Sequence, residues 1–120
     1  MNHMKKKILL IGTGGTICSG DSGEGLCPKM TPTELLGFCT DIPKYCDVEA
    51  VQIFNTDSTN IRPAHWLKIA DTIHENYNDY DGFVVSHGTD TMAYTASALS
   101  YMVQNSPKPI VITGAQKSIY

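Results

Sequence analysis

Short apolar segments alternate with helix-like patterns along this chain, and each apolar segment ends in glycine or small polar residues. Four of these segments have the length and aliphatic content of buried strands, at residues 6–12, 48–54, 82–86 and 109–113. Helices are predicted between them: one begins at Thr31-Pro32-Thr33-Glu34, one begins at Pro63, and one covers residues 91–104. Strands that alternate with helices pair in parallel through right-handed crossovers. The chain is therefore predicted to be an α/β protein, with a doubly wound, flavodoxin-like parallel sheet and helices on both faces.

A glycine-rich segment over residues 12–30 separates the first predicted strand from the first predicted helix. Six of its nineteen residues are glycines. Glycine gives the backbone unusual freedom, and connections of this length are usually functional. The segment is predicted to be a long mobile loop.

Composition restricts the class of protein. A formal net charge of -3, with 42% hydrophobic and 18% charged residues, is typical of a soluble globular domain and gives little support to nucleic-acid binding. The basic run at residues 5–7 precedes only a short apolar stretch, so we expect no export leader, no membrane span and a cytoplasmic location. The four cysteines have no C-x-x-C spacing, so free thiols are expected and no metal site: Cys18, Cys27, Cys39 and Cys46.

Polar turns follow all four predicted strands. They are Gly12-Thr13-Gly14-Gly15-Thr16, Thr56-Asp57-Ser58-Thr59, His87-Gly88-Thr89-Asp90-Thr91 and Gly114-Ala115-Gln116. The carboxyl ends of parallel strands lie at one edge of a sheet, which is where open α/β sheets bind ligands. The hydroxyl groups and backbone N–H groups in these turns suit nucleophilic attack on a carbonyl, with N–H donors holding the oxyanion. The carboxylates of Asp57 and Asp90 suit recognition of an ammonium group.

Each of these turns also has a purely structural interpretation. The first turn fits neither G-x-G-x-x-G, because Ile17 stands at the third glycine position, nor a Walker A loop, because no lysine follows. Thr89 and Asp90 have the residue types that cap a helix. His87 is at a strand end, where a packed, hydrogen-bonded histidine is more common than a catalytic one. Trp66, and a stripe made of Met92, Ala96, Leu99 and Val103, are predicted to be core.

With these residues identified, the chain resembles the bacterial-type L-asparaginase family over residues 6–118. The two signatures are Thr13-Gly14-Gly15-Thr16-Ile17 after the first strand and the run from Gly82 to Met92 that contains His87-Gly88-Thr89-Asp90-Thr91. Asp57-Ser58, ahead of Asn60 and Trp66, is similar to the substrate-binding turn of the family. Residues 1–120 would then be an incomplete N-terminal α/β domain, of the cytoplasmic type.

The resemblance implies a role for each matching residue. Thr16 would be the acylated nucleophile, and Thr89 with Asp90 would be the second catalytic threonine and its neighbouring carboxylate. The amino-acid substrate would be held by Asp57, Ser58, Gly88, Thr89 and Asp90. The implied reaction converts L-asparagine to L-aspartate and ammonia through a threonine acyl-enzyme, with no cofactor. The implied partner is a second copy of the chain, in a homo-dimer or homo-tetramer.

The chain departs from the family pattern in two places. The segment from Gly20 to Met30 has no tyrosine, and Leu26 stands near the position where the family has one that contacts the nucleophile. The catalytic lysine of the family lies further along the N-terminal domain than Lys117, and the small C-terminal domain is absent. We therefore expect these 120 residues to be inactive alone.

Two further functions stay open. One is an asparaginase-like subunit of a tRNA-dependent amidotransferase, which shares these motifs; its usual extra N-terminal domain is not expected here, because the first strand begins within ten residues of the start. The other is a non-catalytic module that binds aspartate or asparagine, which the presence of both Thr16 and Thr89 disfavours. The sequence does not decide between asparagine and glutamine, which differ by one methylene.

Overall fold

A computed structural model describes residues 5–14, 19–21, 26–28, 41–54 and 60–114. The helix predicted to begin at Thr31 lies outside these ranges. Within them, no helix is long and apolar enough to cross a membrane.

Four strands form one parallel sheet. They are β1 (Lys6–Gly12), β4 (Cys46–Gln52), β5 (Gly82–Ser86) and β6 (Ile110–Thr113), in the order β4-β1-β5-β6. The chain moves outward from β1 to β4, and then crosses back to β5 and β6 on the other side of β1. This change of direction is the mark of a doubly wound sheet, so the prediction of an α/β fold with a doubly wound parallel sheet is confirmed.

Two strand boundaries differ from the prediction. The second strand begins at Cys46 and ends at Gln52, not at Val48 and Phe54. The next residue still extends the ladder, because the N–H of Ile53 donates to the carbonyl of Gly12 at 3.1 Å. The last strand begins at Ile110, one residue after a proline that has no N–H to donate.

The glycine-rich segment contains a small antiparallel ladder. Its strands are β2 (Ser19–Asp21) and β3 (Leu26–Pro28), which pair with Gly20 opposite Cys27. The segment predicted to be a long mobile loop therefore contains paired strands at these residues, which the prediction did not include. The high glycine content of this segment does not predict strands, because glycine is depleted in them.

Two α-helices pack on one face of the sheet. They are α1 (Pro63–Asn76) and α2 (Met92–Met102), close to the predicted ranges. The apolar side chains of these helices pack against every second residue of the central strands, because successive side chains of a strand point to opposite faces. Together they form the buried core. The core consists of Leu9, Ile11, Ile69, Ala70, Ile73, Tyr80, Phe83, Val85 and Leu99.

The predicted apolar stripe of α2 is partly wrong. Leu99 is buried, as expected, but Ala96 is exposed, and Met92 and Val103 are only half-buried. The most deeply buried residue of the helix is Thr95, which is fully buried. Thr95 therefore occupies the core position that the helical spacing of apolar residues had assigned to its neighbour Ala96. Trp66 is half-buried and not fully core.

The other face of the sheet is also apolar. Ile8, Leu10 and Val84 point to it, and with Ile42 of a 3-10 helix (Ile42–Lys44) they line an apolar cavity of about 310 Å³. Cys46 lines the same cavity and is a free thiol, as predicted. Both faces of the sheet are thus built for burial, which is typical of parallel sheets.

A polar cluster joins β1, β4 and the segment before β5 away from the carboxyl ends of the strands. The hydroxyl of Tyr80 donates to Glu49, and the Lys7 ammonium lies 3.3 Å from the same carboxylate. The hydrogen bond to Glu49, with burial adding to it, raises the pKa of Tyr80 to about 12. The hydrogen bonds from Tyr80 and then Lys7 lower the pKa of Glu49.

Candidate active site

The carboxyl ends of β1 and β5 are joined beyond the sheet ladder. The buried hydroxyl of Thr13 donates to the carbonyl of Ser86 at 2.6 Å, and the backbone N–H of Thr13 donates to the same oxygen at 3.3 Å. The next residue, Gly14, has a backbone φ of 100°, which residues that carry a side chain rarely adopt. The first residue after β1 is therefore fixed to the end of β5.

The end of β6 is joined to the same point. The N–H of His87 donates to the carbonyl of Thr113 at 2.8 Å. Gly114 follows, and it lies so close to the turn after β5 that a β-carbon there would be 3.4 Å from the methyl carbon of Thr89. Three of the four predicted turns thus meet at one edge, as far as the described residues extend into them.

His87 is fully buried at the base of this edge. Its Nδ1 lies 2.6 Å from the carbonyl oxygen of Gly88, and its Nε2 lies 2.9 Å from the hydroxyl oxygen of Thr95. The indole N–H of Trp66 donates to that same hydroxyl oxygen at 2.9 Å. The structural interpretation of His87 is therefore confirmed: both ring nitrogens are used inside the protein.

The predicted residues of the turn after β5 lie together. Gly88 is buried, Thr89 is half-buried and Asp90 is exposed. The N-cap of α2 is Thr91, so Thr89 and Asp90 precede the helix and do not occupy its cap position. No hydrogen bond joins the N–H or the hydroxyl of Thr89 to another described residue.

The other predicted site residues are not placed. Thr16, Asp57 and Ser58 lie outside the described residues. Their assignment to the site remains a prediction, because it depends on the turns after β1 and β4.

Sequence reasoning missed Thr95 altogether. It lies four residues after Thr91 and was not part of the predicted apolar stripe of this helix. The available signal was a threonine between apolar positions on a helix, one turn from the motif. A buried hydroxyl of that kind needs partners, and here His87 and Trp66 supply them.

The turn after β5 places Thr89 and Asp90 at the carboxyl edge of the parallel sheet, close to Gly114. Fixed N–H donors stabilise negative charge that develops on an oxygen, and a carboxylate can bind a cationic group.

Comparison with protein families identifies the family to which the chain is similar. Residues 7–120 match the family model described as asparaginase, N-terminal. The L-asparaginase of Thermococcus kodakarensis is 41% identical over 117 residues, which are 94% of this chain and 35% of that protein. A glutamyl-tRNA(Gln) amidotransferase subunit from Methanosphaera stadtmanae is 45% identical over 121 residues, which are 98% of this chain and 27% of that protein. The chain thus spans about a third or less of the length of these relatives.

Solved structures of L-asparaginases are also similar to this chain. The thermostable L-asparaginase from Thermococcus kodakarensis superposes with a TM-score of 0.83 at 40% identity, over 93% of this chain and 34% of that chain. The probable cytoplasmic L-asparaginase from Campylobacter jejuni superposes with a TM-score of 0.83 at 34% identity, over 95% of this chain and 34% of that chain.

Proposed function

The chain belongs to the asparaginase family, and from that premise we propose that it forms the N-terminal part of an amidohydrolase that converts L-asparagine to L-aspartate and ammonia. The observation that carries the proposal is the turn after β5. Its N–H and hydroxyl at Thr89 have no partner among the described residues, while the turn itself is fixed by His87 and lies against Gly114. Unpaired donors on a rigid backbone suit the binding of a substrate oxygen.

The proposed chemistry is an acyl transfer in two steps. The hydroxyl oxygen of Thr16 attacks the side-chain amide carbon, and its proton passes to the departing nitrogen, which leaves as ammonia. Water then attacks the resulting ester, restores the hydroxyl of Thr16 and releases aspartate. Thr89 and Asp90 would assist the proton transfers, and the N–H of Thr89 would hold the oxyanion.

Binding of the amino-acid part of the substrate is assigned to side chains of the same edge. Asp90 would pair with the α-ammonium group, and Ser58 would hold the α-carboxylate. Asp57 and Gly88 would complete the pocket. The reaction needs no cofactor, and we propose that the intact protein is cytoplasmic and acts as a homo-dimer or homo-tetramer.

A second candidate function rests on the relatives. Several similar proteins are subunits of glutamyl-tRNA(Gln) amidotransferases, among them the Pyrococcus abyssi protein at 44% identity. A subunit of that kind would use the same site and pass the ammonia to a partner enzyme. A non-catalytic binding module would retain the pocket without turnover.

Ammonia release by the intact protein that contains this chain separates these functions. We expect saturable release from L-asparagine, loss of about 10²-fold or more in Thr89→Val, and recovery of part of that loss in Thr89→Ser. Release that requires the partner subunits of an amidotransferase would favour the second function. Binding of aspartate without any release of ammonia would contradict both catalytic functions.

A further inference from the structure

The hydrogen bonds of His87 determine which ring nitrogen carries its proton. The carbonyl oxygen of Gly88 can only accept, so Nδ1 must donate to it. The indole N–H of Trp66 can only donate, so the hydroxyl oxygen of Thr95 accepts at that contact. The Thr95 hydroxyl hydrogen then points to Nε2, which accepts it.

The opposite arrangement leaves a group without a partner. If Nε2 also carried a proton, the Thr95 hydroxyl would accept from two donors. Its own hydrogen would then have no acceptor among the contacts of the described residues. The group is completely buried, and an unmade hydrogen bond is unfavourable there because no water can replace the partner. A single direction of donation, from Trp66 through Thr95 to His87 and on to Gly88, satisfies every contact.

This chain of hydrogen bonds also fixes the direction of one peptide plane. The carbonyl of Gly88 points inward, to the ring of His87. No cis peptide bond occurs among the described residues, and in a trans peptide the C=O and the following N–H point in opposite directions. The N–H of Thr89 must therefore point away from the buried ring.

We propose that His87 is a positioning residue, which, with its proton held on Nδ1 by Trp66 and Thr95, turns the Gly88–Thr89 peptide so that the Thr89 N–H faces the substrate oxygen. The inference rests on the proposed amide hydrolysis for its chemical consequence. It places no atom of His87 in contact with substrate. Its effect is to prepare the oxyanion donor before substrate binds, which is the condition for electrostatic stabilisation without reorganisation.

Neutron diffraction from crystals of the intact protein tests the proton arrangement directly, because hydrogen positions are not observed at ordinary X-ray resolution. We expect a hydrogen or deuterium nucleus on Nδ1 of His87, none on Nε2, and the Thr95 hydroxyl directed at Nε2. A nucleus on Nε2 would overturn the proposal.

Kinetics of a matched pair of variants tests the consequence. His87→Leu removes the donor to Gly88, whereas His87→Asn keeps a side-chain N–H near the position of Nδ1. We expect kcat to fall about 10²-fold in His87→Leu with KM within about twofold, because an oxyanion donor acts in the transition state. His87→Asn should recover about tenfold of that loss, whereas a merely structural role predicts no such recovery. Equal kcat in both variants, or an effect confined to KM, would contradict the positioning role.

A second pair keeps the test valid if His87→Leu does not fold. Thr95→Val removes the hydroxyl at nearly constant shape, and Thr95→Ser retains it. We expect kcat about tenfold lower in Thr95→Val and near the original value in Thr95→Ser. An intact protein that hydrolyses no amide but shows the expected proton on Nδ1 would contradict the proposed function and leave the positioning of the Thr89 N–H supported.

Discussion

Gly114 lies against the backbone of His87, so closely that a β-carbon on Gly114 would be 2.3 Å from the carbonyl oxygen of His87. The N–H of His87 meanwhile donates to Thr113, the residue before this glycine. The ends of β5 and β6 thus approach each other at a point where only a hydrogen fits. Because Thr89 is two residues beyond His87, this approach also sets the position of the candidate site.

Replacement of Gly114 by alanine should therefore distort the site. We expect Gly114→Ala to lower the free energy of unfolding by about 1–3 kcal/mol, since the new methyl group meets backbone that cannot rotate away. Urea unfolding of the intact protein measures this. Gly82→Ala is the matched control: its nearest atoms, at 3.1 and 3.2 Å, belong to the side chains of Pro109 and Ile8. Equal destabilisation by the two substitutions would contradict the account.

The hydroxyl of Thr13 should contribute to the stability of this edge. Thr13→Val removes the donor to Ser86 and keeps the shape of the side chain. We expect a loss of about 1–2 kcal/mol in the free energy of unfolding, because the carbonyl of Ser86 loses its shorter partner in a buried position. Urea unfolding at neutral pH checks the value, and an unchanged midpoint would show that the backbone N–H of Thr13 alone suffices.

Removal of the Ser86 hydroxyl, unlike removal of the Thr13 hydroxyl, should not lower the free energy of unfolding. Its oxygen is buried and has no hydrogen-bond partner in the part of the chain that the structure describes. Burial of an unpaired hydroxyl is unfavourable, so Ser86→Ala should leave the free energy of unfolding unchanged or raise it by about 1 kcal/mol. The same unfolding experiment applies, with Thr13→Val as the bonded counterpart. A loss above about 1 kcal/mol would show that this hydroxyl has a partner.

Alkaline pH should destabilise the protein through Tyr80. Its folded pKa is raised to about 12 by the hydrogen bond to Glu49 and by burial, against roughly 10 in an unfolded chain. The folded state therefore favours the protonated phenol. This stabilisation is fully present below about pH 10 and is lost as the pH rises towards about 12.

Tyr80→Phe isolates that contribution. The variant should be less stable than the original protein at pH 8, and the difference should shrink between about pH 10 and 12. Urea midpoints at several pH values measure it. Tyr45→Phe is the control, because Tyr45 is 77% exposed. A difference between Tyr80→Phe and the original protein that does not change with pH would contradict the shift.

Most of the fold could be predicted because each helix or strand is specified by residues within or next to it. The aliphatic run that ends at Gly12, the proline at the start of α1 and the β-branched run before His87 each specify an element within a few residues. Right-handed crossovers then determine on which face of the sheet each connecting helix packs. The ladder between β2 and β3 was not predictable in this way, because its glycine content argues against strands.

The location of the candidate site was predictable, whereas the chemical roles of its residues stay predictions. Parallel strands bring their carboxyl ends together, so the turn with Thr89 and Asp90 was assigned correctly to that edge. The role of Thr95 was not predictable, since it depends on which side of α2 faces His87. That orientation is a tertiary property, and the apolar residues around Thr95 indicated a different stripe.

Acyl transfer through a threonine at this edge of the sheet, as proposed above, is tested by trapping the covalent intermediate. The intact protein would be mixed with L-asparagine, quenched in acid within the first turnover, digested and analysed by mass spectrometry. We expect an aspartyl ester on the peptide that contains Thr16, and neither ester nor ammonia release in Thr16→Ala. Ammonia release that persists in Thr16→Ala, or an ester found on a different residue, would contradict it.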